Sequence, residues 1–241
     1  MALPRIDLPL FELTIPSSGK KVQYRPFTVK EEKILLIAQE SKEIDQIILA
    51  IKQILGNCIE GINVDKLAVF DIEYIMLNVR GKSVDNIIKF TINDPDTEET
   101  IELAINIDDV KVKFKDDHNK NIKLNDDYTL VMRYPSINEL KALSNLRRDN
   151  SEASNNAQVF FDVMISCIDM LVSSDGEKIY KMADFTQQEI QDFVDSLTSS
   201  AIKNIQRFFE TAPILKIEAP YKNKNGDKKT FVMEGMESFF I

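Results

Sequence analysis

With one histidine, two cysteines, seven glycines and no tryptophan in 241 residues, this chain has few of the parts from which catalytic and cofactor sites are built. The single histidine, His118, lies in the acidic loop KDDHNKN, so any Ser-His-Asp or Cys-His relay must pass through that loop. A histidine-rich metal site is excluded outright. Asp116 and Asp117 beside His118 are expected to raise its pKa, and its expected role is that of a solvated turn residue. The glycines are scattered, with neither GxGxxG nor GxxxxGK[ST], so no phosphate cradle is present. No run approaches the ~18 apolar residues of a membrane span. The N-terminal MALPRIDLPLFEL lacks the apolar core of a signal peptide. Cys58 and Cys167 sit in apolar helical contexts and read as buried free thiols in a reducing compartment. The expectation is a soluble protein, intracellular when made.

Charge of one sign is also short. Thirty Lys and Arg against 39 Asp and Glu leave a formal charge of −9 and a pI near 4.8. That balance argues against duplex nucleic acid and against an anionic membrane surface as partner. The loop NDPDTEE carries Asp94, Asp96, Glu98 and Glu99 but departs from a calcium loop. Its sixth position is Glu99 rather than Gly and its twelfth is Ile105 rather than Glu, so a solvated hairpin turn is expected.

What is present is punctuated secondary structure. Phe11, Leu13 and Ile15 alternate with polar residues, Pro16-Ser17-Ser18-Gly19 is turn chemistry, and Val22, Tyr24 and Phe27 continue the alternation on a return strand. Thr28 and Glu31 form a capping box, repeated at Ser136/Glu139 and Thr186/Glu189. Helices are predicted over 30–40, 44–59, 65–79 (closed by Gly81), 156–171, 187–197 and 199–211. Another starts at Pro135. Between Ile87 and Tyr134 the period changes to two, which predicts an antiparallel meander of five strands. A short strand at 178–182 and a hairpin of 214–221 with 228–233 complete the pattern. No solenoid-type repeat is visible. The fold class expected is α+β, helices packed with an antiparallel β-meander plus N- and C-terminal β-hairpins. The predicted organisation is 1–146, a polar linker at 147–156 (RRDNSEASNN), and a helical region with hairpin at 157–241.

The candidate sites are surfaces. Phe160-Phe161, Phe208-Phe209 and Phe239-Phe240 are adjacent pairs, and neighbours on a helix point about 100° apart. Local burial is expected for the first two pairs, and Phe239 and Phe240 stand out as a partner contact. Lys222, Lys224, Lys228 and Lys229 form a basic cluster on the C-terminal hairpin, read as a solvated turn or a docking point for an acidic face. The candidate partner-binding set is Phe239, Phe240, Lys228, Lys229 and Tyr24. No catalytic, cofactor-binding or metal-binding residue is assigned.

Three segments, PSSGKKVQYRPFTVKEEKILLIAQES, VDKLAVFDIEYIMLNVRGKSV and FFETAPILKIEAPYKNKNGDKKTFVMEGMESFF, together resemble the T4-type phage baseplate hub family, which includes the hub subunit and the hub assembly catalyst. The resemblance implies a non-enzymatic component of a phage tail baseplate, acting in hub assembly through contacts with hub, tape-measure or tail proteins. It implies residence in the virion baseplate and in the host cytoplasm during assembly, without cofactor, nucleic acid or membrane. Oligomeric state stays open. A transient assembly chaperone absent from the virion is the alternative, and a peptidoglycan hydrolase a more remote one. Family hairpins can be zinc-stapled by paired cysteines; neither hairpin loop here has one, so no metal is expected.

Overall fold

The computed structural model describes residues 6–140, 142 and 153–234. In chain order the elements are β1 (Phe11–Thr14), β2 (Lys21–Tyr24), α1 (Val29–Ser41), α2 (Ile44–Cys58), α3 (Val69–Ser83), β3 (Ile87–Asn93), β4 (Thr100–Asn106) and β5 (Lys111–Lys113). Then come β6 (Asn121–Lys123), β7 (Tyr128–Met132), α4 (Ala153–Ser166), β8 (Ile168–Ser173) and β9 (Ile179–Lys181). The chain continues through α5 (Gln187–Asp195), α6 (Ser199–Thr211), β10 (Ile214–Lys222) and β11 (Lys228–Glu234). The fold is α+β, with every strand pairing antiparallel.

The strands between Ile87 and Met132 do not form one meander. β3 and β4 make a two-stranded sheet, β5 pairs with β10 in the order β11-β10-β5, and β6-β7-β8-β9 form a separate four-stranded meander. The reason is the return of the chain: Leu215 pairs opposite Val112, taking β5 out of sequence-local pairing. Two compact units result, residues 1–113 with 214–241, and residues 114–213. These boundaries fall elsewhere than the 147–156 division expected from composition. That stretch, apart from the start of α4, lies outside the described residues, as do Phe239 and Phe240.

Two helix boundaries also move. α3 begins at Val69, because Val64–Lys66 forms a 3₁₀ turn, and runs past Gly81 to Ser83. Gly81 is therefore a close-approach residue: a Cβ there would stand 2.9 Å from Ile107 Cδ1 and 3.0 Å from Asn86 Oδ1. The helix predicted over 156–171 ends at Ser166, and its remainder is β8, whose Leu171 and Met170 pair with Leu130 and Val131. Apolar side chains alone do not separate a short buried strand from a helix turn.

In the first unit, one apolar face of β3–β4 (Ile92, Leu103, Ile105) packs with Ile107, Val110, Leu77 of α3, and Leu215 and Ile217 of β10. In the second, Leu130, Met132, Met164, Cys167, Ile205 and Phe208 are at most 2 % exposed and form the core. Phe160, Phe208 and Phe209 stack edge-on at 5.1–5.8 Å, whereas Phe161 is 38 % exposed, so the expected burial holds for three of these four rings.

The two units repeat one local plan. At the end of β2, Arg25 donates its amide to the Cys58 carbonyl (2.9 Å) and its guanidinium to Glu31 (3.0 Å). At the end of β7, Arg133 donates its amide to the Cys167 carbonyl (2.8 Å) and its guanidinium to Glu139 (2.8 Å). Both carboxylates also accept the amide and hydroxyl of the residue three before them, Thr28 or Ser136. Residues after each cysteine run antiparallel to the strand end: Ile59 bridges Tyr24, and Ile168 pairs with Met132. Later, 3₁₀ turns at Val64–Lys66 and Met182–Asp184 each lead, two residues on, to a helix whose third residue (Asp71, Glu189) accepts the N-cap amide. Both cysteines are buried free thiols. Burial pushes Cys58 up to about 11 and Cys167 up to about 12, leaving them unreactive at neutral pH.

Burial alone would raise the Glu31 carboxyl, but the Arg25 and Thr28 bonds outweigh it and bring it down to about 2. A depressed carboxyl contributes its stability above its ordinary value near 4.5, and that contribution is lost as pH falls through the folded value. Acid titration of chemical stability should therefore show a loss between pH 4.5 and 2. Glu31→Gln should remove roughly 2–3 kcal/mol at neutral pH and flatten this acid limb.

Candidate interaction surfaces

The loop between β3 and β4 is organised by one carboxylate. Asp94 is 1 % exposed, and its Oδ1 accepts the amides of Asp96 (3.1 Å) and Thr97 (3.0 Å) and the Thr97 hydroxyl (3.0 Å). Its Oδ2 accepts the Tyr221 hydroxyl (2.9 Å) and the Lys229 ammonium (2.8 Å), both from the β10–β11 hairpin. Lys229 reaches Asp96 as well, at 2.6 Å. On the rim, the Lys224 amide donates to Glu99 (2.9 Å) and its ammonium to the Thr97 carbonyl (3.0 Å). The Lys229 bond is the first of the causes holding Asp94 well below the usual carboxylate range, and the same pair raises Lys229.

The acidic turn and the basic hairpin, each expected to face solvent, thus satisfy one another. Lys229 is spent inside the unit, while Lys228, one residue away on the opposite face of β11, is exposed. The signal in the sequence is the charge complementarity of NDPDTEE and YKNKNGDKK, which only the return of β10 beside β5 brings together. Tyr24 is 2 % exposed, with its ring 5.7 Å from Phe11, and burial followed by Tyr74 and Asp108 pushes its phenol up to about 12. It belongs to the core, not to a docking surface.

His118 is not a solvated turn residue. Its Nδ1 lies 3.0 Å from the Thr211 hydroxyl and its Nε2 3.0 Å from the Tyr134 hydroxyl. Thr211 donates its proton to the Arg207 carbonyl, so it accepts from Nδ1–H, and Nε2 is left to accept from Tyr134. The ring stacks on Tyr134 at 5.5 Å and meets Phe208 at 5.2 Å. Burial, then Lys120, lower its pKa; Asp117 opposes this but does not prevail. The expectation of a raised value was wrong because burial beside aromatic rings outweighs the loop carboxylates.

Uncovered apolar side chains cluster on the first helical hairpin. Val29, Leu36 and Ile37 are 65, 51 and 67 % exposed, on one stripe of α1 with Lys33 and Glu40, and Leu49 of α2 is 61 % exposed. Apolar spacing along a helix does not announce which residues a neighbouring element covers, so this stripe is visible only in the fold. Among the described residues, no group of three or more metal-ligating side chains occurs, and no helix is long and apolar enough to cross a membrane.

A family model described as T4 bacteriophage base plate protein matches residues 8–241. The chain belongs to that family. This base plate protein is a component of the phage tail baseplate, and its contacts are with other phage tail proteins. No curated protein and no solved structure matches it.

Replacing Asp94 by Ala should lower the Tm of the base plate protein by several degrees, read by calorimetry, because a half-buried ammonium, a phenol and two turn amides lose their acceptor together. Lys228→Ala should leave the Tm unchanged. Proton NMR should find His118 titrating below the ordinary 6.5.

Proposed function

We propose that this base plate protein is a non-enzymatic component of the baseplate hub, acting in hub assembly through protein–protein contacts with hub, tape-measure or other tail proteins. The observation that carries the proposal is the apolar stripe of α1, where Val29, Leu36 and Ile37 are all more than half exposed. Uncovered aliphatic side chains gathered on one stripe of a helix support an interaction site there. Burying these aliphatic side chains on association removes apolar area from water and so contributes to affinity. The non-enzymatic reading is supported by His118, whose two ring nitrogens are both occupied by Thr211 and Tyr134. Phe239 and Phe240 are proposed as a second contact. Assembly takes place in the host cytoplasm.

The test is complementation of a phage lacking this gene by a Leu36→Ser, Ile37→Ser double variant. Both positions are exposed, so the variant should unfold within about 0.5 kcal/mol of wild type. It should nevertheless reduce sedimenting hub complexes by about tenfold or more. Hub complexes at wild-type yield from a folded double variant would overturn the proposal.

A further inference from the structure

The two units differ at one equivalent place. In the first, the helix behind the 3₁₀ turn is covered: Leu67 is 8 % exposed, and Ile72, Ile75 and Met76 at most 1 %. The β1–β2 turn closes this end, with the Ser17 amide donating to Asp71 at 2.9 Å. In the second unit the β6–β7 turn goes elsewhere, its Asp127 carbonyl accepting the amide of Ser174 from the β8–β9 hairpin at 2.8 Å. Among the described residues Glu189, the counterpart of Asp71, bonds only its own N-cap residue, and it stays exposed. Phe185, the counterpart of Leu67, is 40 % exposed, and Ile190 and Phe193 are half-buried.

The open face is a groove of about 280 Å³ lined by Leu171, Tyr180, Met182, Phe185, Ile190 and Phe193, with Glu189 at its edge. A second hollow of about 480 Å³ shares Met182, Phe185 and Ile190 and adds Asp162 and Asp169. Arg133 also lines it, but its charge is answered by Glu139 at 2.8 Å. Glu189, Asp162 and Asp169 are the carboxylates at these hollows, and along residues 168–195 seven carboxylates stand against Lys178 and Lys181 alone. That excess accounts for more than half of the chain's net charge of −9.

We propose that this groove is a docking site for a basic amphipathic segment of a partner protein, its aliphatic or aromatic side chains entering beside Phe185 and its Lys or Arg residues meeting the acidic rim. The apolar floor supplies burial, and the carboxylates select the sign of the flanking charge and hasten encounter. An acidic or uncharged segment gains only the first of these. Hub assembly is tested on α1 in the first unit and the groove on the second, so either can fail alone.

The experiment is fluorescence polarisation with the full-length protein and a fluorescein-labelled peptide of repeated Lys-Leu-Phe, with Glu-Leu-Phe and Lys-Ser-Ser peptides as controls. Saturable binding of the first peptide alone is expected, weakening as salt rises. Phe185→Ser should weaken it by about tenfold or more. Ile179→Ser, at an exposed position on the other face of β9, should leave it unchanged. Asp162→Lys with Asp169→Lys, both exposed and both lining the adjoining hollow, should weaken it without touching the apolar floor, and keeps the test decisive if Phe185→Ser unfolds. Absence of saturable binding, equal binding of the Glu-Leu-Phe peptide, or wild-type affinity in the folded Phe185→Ser or double-lysine protein would overturn the proposal.

Discussion

An arginine leaving a strand and a carboxylate six residues further on set the geometry of both units. Arg25 with Glu31, and Arg133 with Glu139, each tie three things at once: the strand end, the turn that follows it and the carbonyl of a distant cysteine. The carboxylate is a poor candidate for burial by itself, since desolvation penalises its charge. Guanidinium, hydroxyl and backbone amide together overcome that penalty, and the arrangement holds only when all are in place. That conditionality makes the pair a specificity device: the hairpin meets its helix in one orientation because any other leaves a buried charge unanswered.

A second buried carboxylate does the same for the long-range part of the fold. Asp94 fixes its own turn through two amides and holds the C-terminal hairpin through Tyr221 and Lys229. Charges that a linear view assigns to solvent are here structural, and what the fold leaves for partners is mostly apolar: the α1 stripe and the groove beside Phe185. For a protein of the tail baseplate this division is physically economical. Polar groups define the shape, and apolar surface waits for association.

Much of the local structure was legible in the residues. The carboxylate halves of the capping boxes at Thr28, Ser136 and Thr186 all form, and β1–β2, β3–β4 and β10–β11 lie where period-two patterns and turn residues put them. Pairing beyond neighbours was not legible. Nothing in Lys111–Lys113 announces that its partner is Ile214–Lys216, and the meander expected for 87–134 failed on that account. Gly81 looked like a stop because glycine often is one, whereas here Ile107 needs the space. Ile168-Asp-Met-Leu-Val reads as helix or strand with equal ease, and only β7 decides it. The groove beside Phe185 was hidden for the same reason, since two of its walls are β8 and β9. Tyr24 and Lys229 were assigned to the surface on residue type alone, and the fold places one in the core and the other in an internal ion pair.

The pairing of β5 with β10 has a consequence in time as well as in space. The ribosome makes Lys113, then the whole second unit, and only then Ile214, so the first unit's sheet stays without its central strand while residues 114–213 are synthesised. At ~5–20 residues per second that delay is roughly 5–20 s. The second unit is contiguous in sequence. During the same interval Ile92, Leu103, Ile105, Ile107 and Val110 lack the cover of Leu215 and Ile217. The nascent chain therefore carries an open first unit until Leu215 and Ile217 are translated.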